Sequence, residues 1–180
     1  LKNQVLALVY NLLSWSSSLL LPPAPLERKD EATSYCVEIT GPGGLDRLKL
    51  VDLDETKQIC IGYNCRDLGH PPPYVTLDPS KSKDEQLHAS LIEVEIQYAS
   101  INYADVCIRW GLYESANRFV GFPIVPGFDF SGKIVWVGGQ AGGGCKVGDL
   151  VYGVTLFGAY SRKVLVPTRQ LRKVPTVKAG

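Results

Sequence analysis

A mainly β domain, barrel-like or sandwich-like, with six or seven short strands and little helix, is the fold class this sequence predicts. Three observations predict it. Eighteen Gly and 12 Pro in 180 residues favour tight turns over a helical bundle. Runs such as YCVEIT, DRLKLVDL and LIEVEIQYASIN alternate apolar and polar residues with the period of a strand. Gly- and Pro-rich punctuation, as in GPGG, PPPY and VGGQAGGG, separates those runs.

The elements follow in chain order. LKNQVLALVYNLLSWSSSLLLPPAP is apolar from Val5 to Leu21, interrupted by Asn11 and a Ser cluster. A spanning helix needs about 20 apolar residues, so the run is slightly short. It reads as a leader outside the fold, a targeting or membrane-touching segment, or a core helix. Residues 26–34 are a polar linker, so 1–34 is expected to stand apart from the fold. The chain has no Met, even at position 1, and therefore reads as a fragment, a processed product, or a sequence whose front end lies in the wrong reading frame. From Tyr35, YCVEIT, the GPGG turn at 41–44 and DRLKLVDL predict a β-hairpin. Residues 54–90 lose the period and read as one long surface loop.

Order returns at LIEVEIQYASIN, a strand with Leu91, Glu93, Glu95 and Gln97 on one face and Ile92, Val94, Ile96 and Tyr98 on the other. Next, NYADVCIRWGLY concentrates an amide, a carboxylate, a thiol, a guanidinium, an indole and two phenols at one joint. FVGFPIVPGFDFSGKIVWVGG is cut by Pro and Gly, with GKIVWVG its clearest strand. DLVYGV and GAYSRKVLVP are further strands, and LRKVP reads as a chain exit. VGGQAGGG is a surface turn rather than a nucleotide loop, because it lacks the G-x-G-x-x-G pattern between a strand and a helix.

Composition excludes some functions. A net charge of +1 with no Lys/Arg run gives no basis for nucleic-acid binding. Five Cys cannot all pair, and Cys36, Cys107 and Cys145 read as reduced, small apolar residues of a cytosolic protein. Cys107 has no His or basic activator nearby in sequence, so it reads as structural. Cys60, Cys65 and His70 have a C-x4-C-x4-H spacing that falls short of four metal ligands.

GPGGLDRLKL, ASINYADVCIRWGLY, FPIVPGFDFSG, KVGDLVYGV and GAYSRKVLVP run in an order that resembles one family. It is the GroES-like amino-terminal catalytic domain of the medium-chain dehydrogenase/reductase superfamily. The closest likeness is to its zinc-independent quinone oxidoreductase branch, which includes synaptic vesicle membrane protein relatives. The resemblance implies a mainly β, GroES-like, partly open β-barrel with few short helices over 35–175. It also implies that 176–180 begins the connection to a Rossmann domain absent from this chain, which would hold the pyrophosphate of NADPH or NADH. The chain alone is then expected to be inactive or nearly so, since hydride transfer needs both walls of the cleft.

The family's N-x-x-D pattern falls on Asn102 and Asp105. By resemblance Asn102 faces the nicotinamide and substrate, Asp105 positions, and Arg109 and Tyr113, sharing a helical face, border the substrate pocket. Asn102 and Tyr113 are the expected catalytic pair. A plainer reading has Asn102 and Asp105 cap the short helix that follows, which is compatible with the first. Tyr113 and Arg109 likewise read as a buried phenol and a solvated cation. Trp110 is expected in the core, and Asp129 either pairs with Arg109 or caps a turn. Gly127 and Gly132 are expected to allow the tight turns that bring the strand to the cleft floor.

Zinc-dependent relatives place Cys at Asn102 and His-Glu at Phe128 and Asp129, so no zinc is expected. The implied function is reduction of quinones, activated alkenes or carbonyls. The expected partner is a small molecule, in a cytoplasmic parent that forms a homodimer. Residues 5–21 would carry any membrane contact or organellar targeting. Two alternatives are a non-enzymatic vesicle- or membrane-associated interaction module and a zinc-type alcohol dehydrogenase relative with lost ligands.

Overall fold

The computed structural model describes residues 34–54, 58–69, 73–141 and 143–175. The leader, most of the linker, His70 and the 176–180 connection lie outside the described residues.

Nine strands form among the described residues, more than the six or seven that alternation reveals. β1 (Ser34–Ile39) and β2 (Leu48–Leu53) are the predicted hairpin, antiparallel with Ile39 opposite Leu48. The stretch 54–90 is not one loop. It contains β3 (Gln58–Ile61), β4 (Tyr74–Thr76) and a one-turn helix α1 (Lys83–Gln86). Strands of four and three residues are too short to display a period of two, so sequence alternation cannot find them. β5 (Leu91–Ala99), β6 (Asp129–Val137), β7 (Leu150–Val154) and β8 (Lys163–Pro167) follow. LRKVP is also no simple exit, because Leu171–Lys173 forms β9 and pairs with β7.

Seven strands make one sheet in the order β4-β3-β8-β5-β6-β7-β9, which does not close among the described strands. All pairs in it are antiparallel except β3 with β8. The hairpin docks through β1. Val37 N–H donates to Tyr160 O at 2.8 Å, and Ile39 and Ile124 exchange backbone bonds of 2.8 and 3.0 Å.

β5 keeps the two faces the sequence predicts, with Ile92, Val94 and Ile96 packed in one cluster and Leu91 in another. Because core covers both faces, Leu91, Ile92, Glu93 and Val94 are all buried, so the polar face is not solvated there. Register shifts at Glu93/Val94 and Ile96/Tyr98 interrupt the pairing with β6. Glu93 is tolerated inside because Lys83 of α1 bonds to its carboxylate. Gly132 is not in a turn. It lies within β6, where a Cβ would stand 2.1 Å from Glu95 O, so the close approach of β5 requires glycine.

The core between these strands is aliphatic, with Ile92, Val94, Ile134, Val151, Val164 and Val166 completely buried. Each such side chain contributes about 1.5–3 kcal/mol through burial. No helix among the described residues is long and apolar enough to cross a membrane.

Candidate active site

The joint after β5 folds as the sequence suggests. Asn102 is extended, with φ −111° and ψ 152°, and starts the helix α2 (Tyr103–Arg109). Asp105 sits in the first turn and reaches back, its Oδ2 accepting the Asn102 N–H at 2.9 Å. Together they form the expected capping box, which satisfies donors that the helix start leaves open.

Asp105 is buried and takes two more donors from distant segments. Its Oδ1 accepts the Gly127 N–H at 2.9 Å, and its Oδ2 accepts the Tyr160 hydroxyl at 2.8 Å. Burial pushes its carboxyl above the usual carboxylate range, while the three donors hold the charged form against that trend. Burial and the adjacent Asp105 charge both push the Tyr160 hydroxyl upward.

The Asn102 side chain leads in another direction. Its Nδ2 donates to Asp129 Oδ2 at 3.0 Å and to Ser100 Oγ at 3.2 Å. Ser100 Oγ in turn donates to Asp129 Oδ2 at 2.9 Å. Asp129 therefore engages Asn102 and Ser100, not Arg109 as one expectation had it.

Arg109 and Tyr113 do not share a helical face. α2 ends at Arg109, and Gly111, with φ +74°, turns the chain before Tyr113 is reached. Arg109 is buried and turned to the hairpin turn, where its Nη1 donates to Gly43 O at 2.5 Å and its own carbonyl accepts the Gly43 N–H at 2.8 Å. Its guanidinium also lies 5.5 Å from the Trp110 ring centroid. Trp110 is not core. It is 47% exposed and meets Tyr103 edge-on at 6.4 Å.

Tyr113 joins an aromatic trio. Its half-buried ring lies 5.9 Å from Phe128 and 6.2 Å from Phe157, and those two are 5.5 Å apart. Sequence reasoning treated Phe128 only as a residue unable to bind zinc, and it missed Ser100, Phe157 and Tyr160. Tyr160 lies within the GAYSRKVLVP stretch, but nothing local marks it as a partner of a residue 55 positions away.

Asn102 thus starts α2 while Tyr113 lies beyond the turn that follows it, and their partners are the consecutive residues Asp129 and Phe128. The site around Asn102 brings together the carboxylates of Asp105 and Asp129, the Asn102 amide and the hydroxyls of Ser100 and Tyr160. Among the described residues, no three His, Cys, Asp or Glu side chains gather as a metal ligand set. Cys60 and Cys65 are buried in different parts of the core, and Cys65 Sγ donates to Leu165 O at 3.4 Å.

Known proteins resemble this fold and parts of this sequence. A family model described as "Alcohol dehydrogenase GroES-like domain" matches residues 88–176. A "Probable quinone oxidoreductase" of Schizosaccharomyces pombe is 39% identical over 77 residues, covering 43% of this chain and 22% of that protein. A "Quinone oxidoreductase-like protein 2 homolog" of Nematostella vectensis is 31% identical over 113 residues, covering 62% of this chain and 29% of that protein. This chain thus spans less than a third of the length of either curated relative. Among solved structures, Escherichia coli quinone oxidoreductase complexed with NADPH superposes with a TM-score of 0.55 at 21% identity, over 78% of this chain and 33% of that one. Residues 88–176 of this chain thus resemble an alcohol dehydrogenase GroES-like domain, and the chain is similar to proteins named as quinone oxidoreductases.

Proposed function

We propose that this chain is the substrate-side domain of a zinc-free, NAD(P)H-dependent oxidoreductase that reduces quinones, activated alkenes or carbonyls. The observation that carries it is the Asn102 amide, fixed on Asp129 at 3.0 Å beside a segment whose preceding residue, Phe128, anchors Tyr113. A nicotinamide cofactor, when bound, supplies hydride. Asn102, Asp105 and Tyr113 orient its ring and the substrate. The phenyl faces of the trio keep water from one side, and Tyr113 offers a flat surface to an aromatic or conjugated substrate. Two carboxylates near Asn102 disfavour the cofactor's phosphates there. Those groups fall to a separate nucleotide-binding domain, and 35–175 alone is inactive. We extend the proposal to a cytoplasmic, homodimeric parent, with residues 5–21 carrying any membrane contact.

The test is NADPH oxidation with 1,4-benzoquinone, by the 180-residue chain and by the full-length product of the same gene. Turnover is expected only from the latter, and Asn102→Ala should reduce it by about 10- to 100-fold, the scale of a lost orienting contact. A full-length product that neither binds NADPH nor reduces quinone would leave the interaction-module alternative in its place.

A further inference from the structure

We propose that Tyr160 is a positioning residue for this site, acting through Asp105 on both Asn102 and Phe128. The inference rests on the function proposed above and adds a residue to it. Tyr160 is 5% exposed, and its hydroxyl donates to the same Asp105 oxygen that accepts the Asn102 N–H. The other Asp105 oxygen accepts the N–H of Gly127, the residue before Phe128. One carboxylate therefore ties down the start of α2 and the entry to the Phe128–Asp129 segment.

The Tyr160 ring provides a second constraint. Gly127 has φ +92°, and a Cβ there would lie 2.5 Å from a Tyr160 ring carbon. Backbone bonds from Gly158 N to Val125 O at 2.8 Å and from Tyr160 N to Pro126 O at 3.0 Å lace the two loops together. The hydroxyl is thus delivered to Asp105 by a fixed backbone.

Removing that hydroxyl leaves Asp105 with two donors for a buried charge, which moves the carboxyl toward its neutral form. A protonated Asp105 carries a donor on one oxygen and loses its charge, so the bonds it accepts from Asn102, Gly127 and Tyr160 all weaken. The titratable groups that face it are Tyr160, bonded to it, and Asp129, whose negative charge also disfavours its ionisation. The positions of Asn102 and Gly127 therefore follow the charge of Asp105.

The experiment is a pH titration of the chain by NMR, following the Asp105 carboxyl carbon, the Asn102 side-chain amide and the Gly127 amide. In the wild type the three signals should share one midpoint. In Tyr160→Phe, which keeps the ring, that midpoint should rise by about one pH unit, the size of one lost bond to a charged group. In the full-length gene product the acidic limb of the kcat/KM profile should move by the same amount, which a packing role would not produce. Three unrelated midpoints in the wild type overturn the inference even if the variant does not fold. An unchanged midpoint in a folded variant overturns it as well. A full-length product that fails to bind NADPH while the midpoints agree overturns the proposed function alone.

Discussion

The side-chain amide of Asn102 donates to the Asp129 carboxylate across 3.0 Å, which joins the helix start after β5 to the first residue of β6. Asn102→Asp keeps the capping chemistry but sets two carboxylates against each other. The variant should lose about 1–2 kcal/mol at pH 7. The deficit should shrink as pH falls below about 4, where the introduced carboxylate takes up a proton. Thermal unfolding at pH 7 and pH 3.5 measures this, and a deficit equal at both would refute the like-charge account.

Arg109 ties down the hairpin turn, because its side chain and its carbonyl each bond to Gly43. Arg109→Ala should destabilise the chain by about 1.5–3 kcal/mol, the range for a bond made by a charged group. Cofactor affinity of the folded full-length protein should stay within about twofold, well under the tenfold that 1.4 kcal/mol gives. Urea denaturation and NADPH titration read the two effects separately. A large affinity loss with little change in stability would instead place Arg109 in contact with the cofactor.

Glu93 is completely buried, and Lys83 reaches it from α1, while Trp136 Nε1 donates to Asp84 Oδ1 at 3.2 Å on the same helix. Lys83→Met leaves an uncompensated buried carboxylate and should cost about 3 kcal/mol. Adding Glu93→Gln should recover more than half of that loss, since no charge then stays buried. A double-mutant cycle by chemical denaturation checks it, and strict additivity would show that the pair does not interact.

Alkaline pH should unfold the chain through its buried thiols. Burial pushes the Cys65 thiol up to about 12 from an ordinary value of 9.0. Its contribution to stability is therefore complete below about pH 9 and is lost as pH rises toward 12, because the unfolded thiol ionises first. Each such group contributes a slope of about 1.4 kcal/mol per pH unit in that window. Cys65→Val should flatten the fall in stability between pH 9 and 11. Equal slopes in both proteins would rule the thiol out.

Local chemistry could be read directly from the sequence. The hairpin, the Asn102–Asp105 cap and the strands GKIVWVG and DLVYGV depend on neighbours within a few residues, so period and cap residues reveal them. The motif order carried the family resemblance for the same reason. Contacts that close long loops decided the rest. Asp105 meets Tyr160 across 55 positions, and Arg109 meets Gly43 across 66. β3 lies beside β8 only because the sheet order places it there. A helix that stops at Arg109 sends that side chain and Tyr113 to different partners, and no count of residues along the chain foretells which. The sequence determined which chemical groups are available, because propensity and capping act locally. Only the tertiary structure decided which of them meet, because burial and hydrogen-bond partners are properties of the packed whole.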